Sequence, residues 1–243
     1  MSSKKLLWTT ILLIMSLFCA SSLLIAQDDA GIEGEFQDDY TLWGLIKVSG
    51  PIGWLIILLS VATLALAIEH LVSLRRDKLI PPDLLQEIED LFEEEAYEEV
   101  METCAAEPGY FTNVIGAALP RVNSGYDSMM EAVHSISEEE SVKLQQKISW
   151  MQLISAVAPM LGLLGTVTGM IGAFSQIATM SGAPKPKDLA KGIYQALVTT
   201  CLGLIVAIPA IACYFYFRNK VVRISMEING ISEELLERFR QDA

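Results

Sequence analysis

Four long apolar blocks, Leu6 to Ala26, Leu42 to Leu71, Trp150 to Ile177 and Ile193 to Phe217, constrain this chain more than any motif in it. A bilayer span takes ~20 mostly apolar residues, whereas a helix on a water-soluble core is apolar along one stripe only. The 52% of hydrophobic residues are gathered into these blocks and not scattered periodically. The pattern predicts an all-α integral membrane protein with three core transmembrane helices, an N-terminal signal or anchor segment and a helical cytoplasmic collar. The formal net charge of -13 lies almost wholly outside the blocks, so it describes the wet part of the chain and argues against nucleic acid as a partner.

Lys4 and Lys5 precede the first block as a basic n-region before a hydrophobic run, and Ala20 and Ser22 offer a small-x-small pair. Residues 1–26 therefore read as a cleaved signal peptide, with a retained anchor as the alternative, and 27–41 as a periplasmic segment. In the second block, 42–71, Trp43 and Trp54 are interfacial anchors, and Arg75, Arg76 and Lys78 mark the cytoplasmic end by the positive-inside rule. Glu69 and His70 stand at that inner rim, placed to snorkel or to pair with the arginines.

Residues 72–149 form the cytoplasmic helical region. Pro81, Pro82 and Asp83 start a helix, and Leu84, Leu85, Ile88, Leu91 and Phe92 continue it at amphipathic spacing. The glutamates from Glu93 to Glu102 read as a solvated face. Pro108-Gly109 and Asn123-Ser124-Gly125 break the segment, and Ser137 to Gln146 leads directly into the span 150–177. A periplasmic loop at 178–192 turns the chain back into the span 193–217, which Arg218, Lys220 and Arg223 close on the inside. Within the tail 218–243, Met226 to Gln241 reads as a short amphipathic helix. Cys19, Cys104, Cys201 and Cys213 have neither disulfide nor metal-site spacing and read as apolar filler.

The candidate site lies in the last two spans. Gly162, Gly165, Gly169 and Gly172 recur at steps of three and four, which predicts one side-chain-free helix face where another backbone approaches closely. Ser155, Pro159, Gly162 and Thr166 form a neighbouring line with two hydroxyls. In the fourth block Ala196, Thr200, Gly203 and Ala207 follow the same small-residue pattern, with Gln195 and Thr199 beside them and Pro209 beyond. Such glycines and threonines serve as helix glue in many bundles, and a Thr hydroxyl can bond back to its own helix. The absence of acid favours a second reading: neither block holds an Asp or Glu, and a proton path needs a titratable group at depth. If the chain conducts protons, hydroxyls and water line the route and another polypeptide supplies the carboxylate.

The stretch APMLGLLGTVTGMI from Ala158 to Ile171, with Phe174 after it, and the stretch QALVTTCLGLIVAIPA from Gln195 to Ala210, with Tyr214 after it, resemble the paired signatures of the MotA/TolQ/ExbB proton channel family, nearest to its ExbB branch. The resemblance implies a homo-oligomer in the bacterial inner membrane, typically five copies, whose last two helices line a pore. It also implies an ExbD- or TolR-like single-span partner with a membrane Asp, and a TonB-like protein beyond it. The family pore threonines fall on Thr166 and Thr200, with Ser155, Thr199 and Gln195 along the ion path. Gly162, Gly165, Gly169, Gly172, Gly203, Pro159 and Pro209 then serve helix packing. One position departs, since Gln195 stands where a Glu is usual, and an amide cannot shuttle a proton by ionising.

No cofactor is implied; the transported ion is H⁺, with Na⁺ the alternative. An enzyme is not expected, because no nucleophile-base pair, phosphate loop or metal motif is readable at depth. TolQ-like envelope maintenance, a motility motor and a non-conducting scaffold are the alternatives to ExbB-like transport.

Overall fold

The computed structural model describes residues 49–179 and 186–240, with backbone alone for 186–188 and 191. The leader and the periplasmic segment expected at 1–41, the start of the second block and the tip of the outer loop lie outside the described residues. The described chain is helical: α1 (Gly50–Ser73), α2 (Arg76–Leu79), α3 (Pro82–Glu93), α4 (Tyr97–Ala106), α5 (Tyr110–Ala118), a 3₁₀ turn (Leu119–Ser124), α6 (Tyr126–Thr179), α7 (Pro186–Leu236) and a closing 3₁₀ turn (Glu237–Arg240). Among the described residues, three helical stretches, Gly50–Ser73, Tyr126–Thr179 and Gly192–Arg240, are long and apolar enough to cross a bilayer.

Local chemistry sets the boundaries. Gly50 adopts φ +62, a left-handed conformation open to glycine, and Pro51 follows in the first turn, where its missing N–H costs nothing. Pro81 is extended, as a residue before proline must be, and α3 starts at Pro82. At the end of α3 the Ala96 N–H bonds to the Leu91 carbonyl at 3.0 Å and the Glu95 N–H to that of Phe92 at 3.3 Å. This is a Schellman closure with Glu95, at φ 59, in the place glycine usually takes. Gly125 (φ 89) ends the 3₁₀ turn and releases the chain into α6.

α6 runs 54 residues without interruption and α7 runs 51, each more than twice the ~20 needed for a span. The structure thus joins Ser137–Gln146 to the third block as a single helix. It also corrects the tail: Met226 onward is not a separate short helix but the continuation of α7, which ends in a 3₁₀ turn. Nothing between Phe217 and Leu236 breaks a helix; Gly230 alone costs ~1 kcal/mol and is tolerated.

The described residues divide into two compact units, one drawn from 49–62 and 154–210, the other from 63–153 and 211–240. The second has its own core, with Phe92, Phe111, Ile115, Ile148, Phe217 and Leu236 fully buried. Its polar ties are specific. The Tyr110 hydroxyl donates to the Ser137 carbonyl and lies 2.8 Å from Ser225 Oγ, linking α5 to α6 and α7. Arg238 reaches back to the Phe92 carbonyl and sits over the Phe92 ring, tying the closing turn to α3. His70 departs from expectation: it neither snorkels nor meets an arginine but is 4% exposed against the Phe217 ring. Its Nδ1 lies 2.6 Å from the Leu66 carbonyl and must donate, since a carbonyl only accepts. Arg76 pairs instead with Glu227 at 2.7 Å.

Candidate functional site: the seam between α6 and α7

In the first unit, α6 and α7 meet antiparallel along a ladder of small residues. A Cβ on Gly203 would stand 2.6 Å from the Ala158 carbonyl, one on Gly162 3.0 Å from Thr200 Cα, and one on Gly165 2.4 Å from Thr199 Oγ1. Gly169 faces Ala196, whose Cβ would lie 3.3 Å away, and Gly192 faces Ala173 at 2.4 Å. Only glycine admits backbones this close. The expected glycine face is thereby corrected at its last member: a Cβ on Gly172 meets nothing within 4 Å, and Ala173 makes the final rung. A step of four from Gly169 stays on the side where Gly192 lies; the step of three turns away from it.

Pro159 and Pro209 sit inside α6 and α7, each removing one helical hydrogen bond without breaking its helix. The hydroxyls are placed individually. Thr200 Oγ1 crosses the seam to donate to the Gly162 carbonyl at 3.1 Å. Thr199, 1% exposed, fills the notch at Gly165 and donates to the Ala196 carbonyl of its own helix at 2.7 Å. Thr166 donates to the Leu163 carbonyl at 2.6 Å. Ser155 is half-buried on α6.

Two grooves flank the seam, and they divide the candidate residues. The wider, ≈ 730 Å³, is lined mainly by apolar side chains such as Val167, Met170, Phe174 and Leu197, with the Thr166 hydroxyl among them. Thr200 follows Ala196 and Leu197 by four and three residues and so shares their face. The narrower, ≈ 360 Å³, lies against α1 and holds Gln195 with Ser49, Thr168 and Gln176. Gln195 is therefore separated by the seam from Thr166, and its Nε2 lies 3.5 Å from where a Gly50 Cβ would stand. Thr168, Gln176 and Ser49 escaped the sequence reading, although Thr168 stands two places after Thr166 and Gln176 is a polar residue inside an apolar block. Among the described residues no carboxylate lines either groove. Among the described residues no group of three His, Cys, Asp or Glu is placed to hold a metal ion.

Three long apolar helices, two of them joined by a glycine seam with hydroxyls in it, define a polytopic helical membrane protein. Residues 107–230 match the model of the MotA/TolQ/ExbB proton channel family, and the chain belongs to that family. It is similar to biopolymer transport protein exbB1 of Vibrio cholerae, 39% identical over 31% of this chain and 33% of that protein. It is also similar to a putative biopolymer transport protein ExbB homolog of Methanothermobacter thermautotrophicus, 27% identical over 82% of this chain and 69% of that protein. Tol-Pal system protein TolQ of Haemophilus influenzae is 32% identical over 43% of this chain and 42% of its own length. The chain thus spans less than half of the Vibrio and Haemophilus relatives.

Proposed function

We propose that this chain is an ExbB-like subunit of an ion-driven energy transducer in the bacterial inner membrane, built as a homo-oligomeric ring, typically of five. The observation that carries the reading is the wider groove: Thr166 lines it, Thr200 stands one turn from its Ala196 in the adjoining seam, and no acid is among its described lining residues. A single-span ExbD- or TolR-like helix bearing a membrane Asp would supply the titrating group there. Proton entry would neutralise that Asp and let the partner helix shift past Thr166 and Thr200. Each charge crossing is worth ~2.3 kcal/mol per 100 mV, an adequate energy scale. The partner's outer part, with a TonB-like protein, would pass the work to outer-membrane transport. Basic residues after α1 (Arg75, Arg76) and along α7 (Arg218, Arg223) support an inside location for residues 72–149 and for the chain from 218 onward, with the amino end of α1 and the α6–α7 connection outside.

Thr200→Val tests this directly. Valine keeps the shape and removes the hydroxyl that bonds to the Gly162 carbonyl. Ring assembly should persist while proton flux of the partner-bound complex in liposomes falls at least tenfold; wild-type flux would remove Thr200 from the path. One observation favours a non-conducting scaffold: Thr166 and Thr199 already donate to carbonyls of their own helices. Absence of flux in the wild-type complex would select that reading.

A further inference from the structure

We propose that the narrower groove, between α1 and the α6–α7 pair, is a water-filled vestibule opening at the outer face of the membrane and ending at Gln195. The direction it opens rests on the orientation proposed above; its hydration rests on its lining. At ≈ 360 Å³ it has room for on the order of ten waters. Gln176 and Gln195 each bring a carboxamide with two N–H donors and an acceptor oxygen; Ser49 and Thr168 also line the groove, the Thr168 hydroxyl already donating to the Leu164 carbonyl at 2.9 Å. Hydrocarbon can meet neither carboxamide, and each polar group left unmet costs several kcal/mol.

The groove is deep. Gln176 lies within one turn of the end of α6 at Thr179, and Thr168 is ~16 Å in from Thr179 at ~1.5 Å per residue, about half of a ~30 Å hydrocarbon core. At its other wall stands the amino end of α1, where a Cβ on Gly50 would lie 3.5 Å from Gln195 Nε2. With no carboxylate among the described lining residues, water suits the groove better than a divalent cation, which draws on acidic oxygens. The inner end is shut where Thr199 fills the Gly165 notch, so the vestibule stops at the seam.

The test is thiol accessibility in the full chain, with the four native cysteines replaced by Ala and the partner co-expressed. Sulfonatoethyl methanethiosulfonate, which does not cross lipid, is applied to the outer face of spheroplasts. Thr168→Cys and Gln195→Cys should be modified at least tenfold faster than Leu58→Cys, which sits on the exposed apolar face of α1. Equal rates overturn the vestibule. If either variant fails to insert, Gln176→Cys takes its place under the same criterion. Thr166→Cys separates this inference from the transducer reading. Fast labelling at Gln195→Cys with Thr166→Cys unshielded by the partner overturns the pore assignment and leaves the vestibule standing. Slow labelling at Gln195→Cys and Thr168→Cys with Thr166→Cys shielded does the reverse.

Discussion

Cys104 shows how much one side chain is decided by its surroundings. It is 6% exposed, next to Gly116 across the α4–α5 contact, and burial pushes its thiol up from 9.0 to about 11. The folded chain therefore keeps a proton that the unfolded chain gives up from about pH 9. The stability this contributes is whole below pH 9 and is lost as the pH rises to about 11. Because the thiolate is the nucleophile, Cys104 should be nearly inert at pH 8. Iodoacetamide labelling of Cys104 in native membranes, read by mass spectrometry, is expected at least tenfold slower than after unfolding in detergent; equal rates would mean that the α4–α5 contact opens. One residue also decides which groove a polar side chain enters. Gln195 and Ala196 are adjacent, yet a ~100° turn puts the amide beside α1 and the methyl toward Thr166.

At the scale of the element, the seam makes a sharp contrast between two glycines of the same helix. A Cβ on Gly165 would collide with Thr199 Oγ1 at 2.4 Å and Thr199 Cβ at 2.6 Å, and the second of these cannot rotate away. Gly165→Ala should destabilise the helix pair by ~1–3 kcal/mol, as overpacking does. Gly172→Ala meets nothing and should be neutral or gain ~0.5–1 kcal/mol from helix propensity. Thermal midpoints in mild detergent separate them; equal midpoints would deny the close approach. Hydropathy marked the three described spans because lipid tolerates nothing else, and Pro81-Pro82, Pro108-Gly109 and Gly125 marked the inner helices because backbone geometry changes there. Two things were out of reach. Hydropathy locates the bilayer and not the end of a helix, so the charged continuation of α7 read as a separate piece. The spacing of glycines describes one helix alone, so it could not show that Gly192 on the other makes Ala173, and not Gly172, the last rung.

For the whole molecule the deciding fact is an absence in the grooves combined with an excess on the surface. Among the described residues neither groove carries an acid, while Met160, Leu163, Ile171, Leu197 and Ile208 are all more than 60% exposed in the first unit. Lipid covers such residues on any span, but it does not account for the wider groove, whose Thr166 hydroxyl and apolar walls leave a recess of ≈ 730 Å³ beside the seam. A helix packed into such an apolar recess gains van der Waals contacts that acyl chains match only by ordering. On the transducer reading proposed above, copies of the chain should associate before any partner arrives. Native mass spectrometry of the chain expressed by itself in mild detergent should give a single closed multiple of the chain mass, five by the family resemblance. Co-expression with a single-span, Asp-bearing partner should add mass without changing that multiple. A monomer that stays monomeric at micromolar concentration, or a multiple that changes with the partner, would show that the ring is not preformed and that the recess is shaped by the partner.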